Sequence, residues 1–478
     1  MDFYGHIIDG VEVPSLDGST MEDVNPYTRE PWATIACGGK ADADRAVAAA
    51  RKAFDEGPWP RMGFLARQVI LHRLADLMDE HAHELALADT RDMGKPITQA
   101  LHDVARSAWN VRFFADHARL AMGDAYPMDS GHHAYSRFDP AGVAVAISPW
   151  NFPLMLGTWK VAPALAWGNT VVMKPAEDTP VSATIWARLA LEAGVPPGVL
   201  NIVHGYGPDS AGAALTANPD VDRITFTGES GTGKAISASA ARNLIPVSLE
   251  LGGKGANIVF DDADLDNAVY WAVQAIFRNA GQICLSGSRL YLQSGIYDEF
   301  LARFQAAAEA LMAGDPQDPD TEFALALASE EHFTKVSGYL DTVAEDGGRI
   351  LTGGVGEGWS VRPTIVVDAP PTARVCREEI FGPVCVVQRF DTEDGAVTAA
   401  NATRYGLNAM VFTENLNIAH RVSAKLRAGT VWVNCFFIRD LRAPFGGVGD
   451  SGVGREGGNF SREFFTEPKA VIVQIDNG

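Results

Sequence analysis

The stretch NAGQICLSGSR, Asn279 to Arg289, sets a lone cysteine, Cys284, among small and polar residues. A thiolate is a strong nucleophile, and a thiol is a common covalent catalyst. A cysteine between Ile283 and Leu285 also reads as a small buried hydrophobe, but Gln282, Ser286 and Arg289 do not look like plain core. Upstream, SLELGGKG holds Glu250 between two leucines. A carboxyl in an apolar run is either a satisfied structural charge or a group with a raised pKa suited to base work. In ISPWNFPLMLGTWK, Asn151 stands between Trp150 and Phe152. Its amide is either a turn former or a donor aimed at a developing oxyanion.

Two further stretches suggest ligand contacts. Lys174 and Glu177 close the run NTVVMKPAE, at the end of a strand, where ligands collect in open α/β sheets; ordinary solvated charge is the plainer reading. ITFTGESGTGKA reads G-x-x-x-x-G-K-A from Gly228, one residue short of a phosphate loop. The position that should carry a magnesium-binding hydroxyl is Ala235. A bland glycine-rich loop is the plainer reading; strand, glycine turn and helix start also make an anion site, where a dinucleotide pyrophosphate could sit without a metal.

These residues need a scaffold. From Ala41 to His117 the pattern is helical, with Val47, Ala50 and Phe54, then Leu74, Leu77 and Met78, at helical spacing. An extended segment, SGHHAYSRFDP, follows. The runs GVAVAIS, NTVVMKP, VLNIVHG, RITFTG, PVSLELG and GANIVFDD are short and β-branched, with helical stretches between several of them. That alternation predicts a parallel sheet covered on both faces. A second α/β region runs from Asp261 to about Ser451, with glycines 252, 253 and 255 marking a boundary near 252. The terminal AVIVQI is a lone strand with no nearby partner, free to pair elsewhere in an oligomer.

With 478 residues, 47% hydrophobic and 21% charged, the chain suits a soluble protein of two or three domains. A formal net charge of −21 disfavours nucleic acid and anionic lipid as partners. No apolar run is long enough for a membrane span and no signal peptide is visible. Five cysteines without C-x-x-C spacing point to a reducing cytoplasm and no structural zinc or other metal.

PWNFP, GNTVVMKPAE, FTGESGTGK, LELGGKGANIVFDDADLD, GQICL, EEIFGPV and PFGG, in this order and nearly end to end, resemble the NAD(P)-dependent aldehyde dehydrogenases. The resemblance implies an α/β fold with a Rossmann-type cofactor domain, an α/β catalytic domain and a small β arm for homo-oligomerisation, as a dimer or tetramer. The cofactor domain would take residues 1–120 and 141–252, the catalytic domain 253–451, and the oligomerisation segment 121–140 and 452–478. It implies Cys284 as nucleophile, Glu250 as base and the Asn151 side chain with the Cys284 N–H as oxyanion donors. Trp150, Lys174, Glu177, Gly228, Ser230, Glu379 and Phe381 would bind the cofactor. A carboxylate at Glu177 repels a 2′-phosphate, favouring NAD over NADP. The presence of Glu250 argues against the CoA-acylating branch.

VNCFFIRDLRAPFGG and GREGG resemble the branch that oxidises 2-hydroxymuconate or 2-aminomuconate semialdehyde, small aldehydes with a remote carboxylate. Arg106 and Arg439 would clamp that carboxylate through their planar donor forks, with Phe152 and Trp159 walling the tunnel and Arg442 a further candidate. The plainer alternative pairs Arg106 with Asp103 and Arg439 with Asp440. Aliphatic, betaine or succinic semialdehyde substrates, and a non-catalytic binding role, stay open. FALALASEEH and Arg362 depart from common family wording, away from the proposed chemistry.

Overall fold

The computed structural model describes residues 1–120 and 122–475. Ala121 and residues 476–478, both inside the segment expected to mediate assembly, lie outside the described residues.

One large sheet has eight strands. Its central five are parallel, in the order Val247–Glu250, Arg223–Thr227, Val143–Ile147, Thr170–Lys174, Leu200–Ile202. Four of them, Val143–Ile147, Thr170–Lys174, Leu200–Ile202 and Arg223–Thr227, are buried at every residue. Both faces are covered, so these strands carry no polar alternation. Val143, Val145 and Ile147 pack with Ala43, Val47 and Ala50 of the helix Lys40–Asp55. Ala144 and Ala146 share the other core with Leu154, Val161 and Leu165 of the helix Pro153–Ala166. The alternation of strand side chains sorts them between these two layers.

Strand order reverses beside Val143–Ile147, whose neighbours are Thr170–Lys174 on one side and Arg223–Thr227 on the other. The loops leaving two such strands diverge, and a crevice opens beyond their carboxyl ends. Trp150 and Asn151 follow Val143–Ile147, and Gly228 follows Arg223–Thr227, so the chain delivers all three to this crevice. At the edges, His6–Ile8 and Val11–Val13 add antiparallel strands beyond Leu200–Ile202. Gly452–Val453 pairs antiparallel with Val247–Glu250, setting Gly452 opposite Glu250.

The second large sheet has seven strands, in the order Arg349–Val355, Val361–Val367, Val384–Phe390, Arg289–Gln293, Ala256–Val259, Asn408–Phe412, Thr430–Val433. All pair parallel except the first two. The chain crosses between the sheets over residues 251–255, where two glycines are sterically required. A Cβ on Gly252 would sit 2.0 Å from the Glu379 carboxylate, and one on Gly253 would sit 2.4 Å from the Cys284 carbonyl oxygen.

The C-terminal strand corrects an expectation. Thr466–Gln474 is not without a partner in its own chain: it pairs antiparallel with His132–Pro140 along nine residues, with Ala125–Tyr126 on the far side. The partner lies more than 300 residues upstream, beyond what local pattern can show. The first 36 residues also hold five strands that the sequence pattern did not reveal, three of them only three residues long. Among the described residues, no helix is long and apolar enough to cross a membrane.

Candidate active site

The loop bearing Cys284 leaves the helix Leu265–Phe277 through three successive left-handed residues, Asn279, Ala280 and Gly281, at φ 50°, 52° and 69°. Such a run is costly for Asn and Ala and persists where surrounding contacts over-determine it. Those contacts are present. Asn279 Nδ2 donates to the Asn151 carbonyl at 3.0 Å, and Gln282 Nε2 donates to the Asn279 carbonyl at 3.1 Å. Gln282 Oε1 accepts from the Ala328 N–H at 3.0 Å. The Asn151 amide donates to the Gln282 carbonyl at 2.8 Å, so the loop carrying the donor is tied to the loop carrying the nucleophile. Asn151, Asn279 and Gln282 are all buried, whereas Cys284 is partly exposed and is therefore not a plain core residue. Burial, then the Glu379 and Glu250 carboxylates, push its thiol up to about 12, and Arg439 opposes them.

Glu250 is the last residue of its strand and is buried, and among the described residues neither carboxyl oxygen has a hydrogen-bond partner. It is not a satisfied structural charge. Burial and the neighbouring Glu456 carboxylate raise its pKa well above the ordinary value, against the pull of Lys160, Arg439 and Arg455. Glu456 itself is held by Lys160 Nζ at 2.9 Å and by Thr225 Oγ1 at 3.1 Å. Gly446 leaves room for the acid, since a Cβ there would lie 2.7 Å from Glu250 Oε1. Lys160 and Glu456 were not foreseen; a lysine inside the apolar helix Pro153–Ala166 was the available signal.

Around the crevice, Lys174 Nζ lies 3.0 Å from Glu177 Oε2, and Lys174 is buried. Gly228 N–H donates to the Glu250 carbonyl at 3.1 Å, tying the glycine turn to the base-bearing strand. Ser230 opens the helix Ser230–Ala241, and its hydroxyl donates to the Asp450 carbonyl at 2.8 Å. Glu379 Oε1 accepts from the Gly253 N–H at 2.7 Å, and burial raises that carboxyl to about 7. Phe381, at φ 60°, makes an edge contact with Trp150 at 5.2 Å between ring centroids. His332, also unforeseen, packs on Trp150 and donates from Nε2 to the Phe381 carbonyl at 2.8 Å. Burial depresses its pKa to about 4, so the ring is neutral at pH 7 and can hold this backbone in place.

The sequence profile described as "Aldehyde dehydrogenase family" matches residues 13–471. The chain belongs to this family. A 2-hydroxymuconic semialdehyde dehydrogenase of Pseudomonas sp. (strain CF600) is 47% identical to this aldehyde dehydrogenase over 98% of the chain and 99% of the relative. A 2-aminomuconic 6-semialdehyde dehydrogenase of Pseudomonas sp. is 43% identical over 100% and 99%. The NAD⁺ complex structure of an aldehyde dehydrogenase from Bacillus cereus superposes with a TM-score of 0.97 at 39% identity, covering 99% of this chain and 97% of that one.

In this aldehyde dehydrogenase the two arginines do not pair with the adjacent acids. Asp103 is taken by Lys95 at 2.7 Å, and Asp440 by Arg442 at 2.6 Å. Arg442 is thereby occupied and lies on the surface. Arg439 instead stacks over Phe445 at 3.8 Å and Trp159 at 4.6 Å, and its Nη2 is buried without an acceptor among the described residues. Burial and the nearby Arg106 lower its pKa to about 10, so it remains a cation at neutral pH. Arg106 donates from Nε to Asn110 Oδ1 at 3.2 Å and stacks over Trp109 at 4.7 Å. Phe152 stacks on Phe437 at 6.1 Å between centroids, with both Phe152 and Trp159 buried.

Proposed function

We propose that this aldehyde dehydrogenase uses NAD to oxidise a semialdehyde bearing a remote carboxylate, of the 2-hydroxymuconate or 2-aminomuconate type, to the dicarboxylic acid. The observation that carries the substrate reading is Arg439: its Nη2 is buried without an acceptor, a second cation, Arg106, lies near, and among the described residues no acid forms an ion pair with it. Leaving such a donor unsatisfied is expensive, and two adjacent cations are mutually repulsive. A substrate carboxylate relieves both penalties, and the guanidinium fork suits it. The two muconic-type relatives support the same class.

The chemistry follows from the side chains. The Cys284 thiolate forms an S–C bond to the aldehyde carbon while the C=O π electrons move to oxygen. The Asn151 amide hydrogen not given to Gln282, with the Cys284 N–H, receives that oxyanion. NAD, when bound, supplies the hydride acceptor for oxidation to the thioester. Glu250 then takes a proton from water, whose oxygen displaces the sulfur and releases the carboxylic acid. In sum, aldehyde, NAD⁺ and water give carboxylate, NADH and two protons.

The chain's own residues fit a dinucleotide. The crevice at the strand reversal receives the helix Ser230–Ala241, whose first-turn N–H groups have no partners within the helix. Among the described residues, no heavy atom lies within 4 Å of a notional Cβ on Gly231, so the approach is open. Lys174 and Glu177 would hold the adenosine ribose, and Glu379 and Phe381 the nicotinamide ribose, with Trp150 beside them. The change of sheet between Glu250 and Ala256 supports a cofactor domain of 1–120 and 141–252 and a catalytic domain of 253–451. The paired strands of 132–140 and 466–474 support an arm for homo-oligomerisation.

Arg106→Ala is expected to raise KM for a muconic-type semialdehyde by about 10- to 100-fold, equivalent to roughly 1.4–2.8 kcal/mol, and to leave KM for hexanal nearly unchanged. Arg439→Ala should do the same and also slow thiol chemistry with both substrates, because Arg439 helps the thiol ionise. Equal KM effects on charged and neutral aldehydes in both variants would remove the clamp.

Thioester hydrolysis should fall with decreasing pH at values above the ordinary carboxylate range. The sign follows from the base: only ionised Glu250 accepts a proton, and its pKa is raised. Single-turnover hydrolysis across pH 5–9 measures that limb.

A further inference from the structure

Lys95 has no exposed side-chain surface, and neither does most of its partner Asp103. Its ammonium has three hydrogens, and its surroundings occupy three directions. Asp103 Oδ2 lies at 2.7 Å, the main-chain oxygen of Asn151 at 2.8 Å, and the Phe152 ring centroid at 4.0 Å. A buried ion pair is weak evidence for stability, because desolvation offsets most of the attraction and an apolar pair of similar volume often serves as well. The informative partner is therefore the second one.

The Asn151 carbonyl accepts from two buried donors, Lys95 Nζ and, at 3.0 Å, Asn279 Nδ2. Its side-chain amide is fixed by a single bond, to the Gln282 carbonyl. The main chain of Asn151 is thus held on one side by the helix Ile97–Arg119, through Asp103 and Lys95, and on the other by the nucleophile loop. What stays free is the amide hydrogen assigned above to the oxyanion.

We propose that Lys95 is a positioning residue for the oxyanion donor, with the Lys95–Asp103 pair setting the Asn151 main chain and so the aim of its amide. This rests on the reading of Asn151 as that donor. A purely structural lysine would need only its carboxylates, Asp103 and the nearby Asp89. A positioning lysine acts through Asn151 and through nothing else.

The test is the double variant Lys95→Met/Asp103→Leu, which removes both charges at similar volume and strands neither. With a simple aldehyde and NAD, kcat should fall about 100-fold, the scale of a misplaced oxyanion donor, with KM changed less than about 2-fold. Alkylation of Cys284 by iodoacetamide builds no oxyanion and should keep its rate. Adding Asn151→Ala should deepen the loss by less than about 3-fold over Asn151→Ala alone, because the two act as one unit. Lys95→Arg should restore most of kcat. If the double variant does not fold, Lys95→Gln, one atom shorter, should show the same loss and the same non-additivity. Full kcat in the variant, or losses that multiply with Asn151→Ala, would overturn the proposal. Wild-type turnover measured alongside separates the two readings: a silent wild type sinks the function, and an active wild type with an equally active variant sinks the role of Lys95 alone.

Discussion

Cys284→Ala abolishes NADH production from every aldehyde, a loss of at least about 10⁴-fold, while the protein stays folded and still binds NAD. No other group can replace the sulfur. Of the remaining cysteines, Cys376 and Cys385 are buried, and neither Cys37 nor Cys435 lies in the left-handed loop that the Asn151 amide grips. The substitution removes one partly exposed sulfur, so the fold and the cofactor crevice are left alone. Absorbance at 340 nm reads the activity, and quenching of protein fluorescence by NAD reads the crevice. Wild-type turnover in the alanine variant would discard the covalent route.

Glu250→Gln gives a different signature. Glu250 acts on water after hydride transfer, and its charge disfavours the Cys284 thiolate while Arg439 favours it, so the variant should release close to one NADH per active site in a burst. It should then turn over about 10²- to 10⁴-fold more slowly than wild type, the range for losing a general base. Mass spectrometry should find the acyl group on Cys284. The amide should not lower Tm at pH 8. Burial beside Glu456 penalises the ionised form, so this acid is a destabilising charge at that pH and its neutral replacement relieves the repulsion. A steady rate without a burst would move the base elsewhere.

Much of this was legible in the chain. Continuous β-branched runs announced the parallel strands, because full burial on both faces erases polar alternation. Cys284, Glu250 and Asn151 stood out as chemically active types in unusual company. The supports around them did not. Lys95 reaches Asn151 across 56 positions, and Lys160 reaches Glu456 across 296, and spacing along a chain carries no trace of such meetings. Local rules also misled. Asp103 and Arg106 sit one helical turn apart, where ion pairs form by default, yet the buried Lys95 takes the acid and frees the arginine. The C-terminal strand was recognised as a strand, but its partner 330 residues away was not, since antiparallel pairing leaves no mark on either segment alone.

Gly452–Val453 lies along the flank of the strand ending in Glu250, about 200 residues after it in the chain. On a ribosome adding about 5–20 residues per second, that flank stays bare for roughly 10–40 seconds after it emerges. A bare row of main-chain N–H and C=O groups is a template for joining other nascent polypeptides. Premature stop codons upstream of Gly452 would therefore yield sticky products as well as inactive ones, and synthesis of the intact enzyme should lean on chaperones until its final segment arrives.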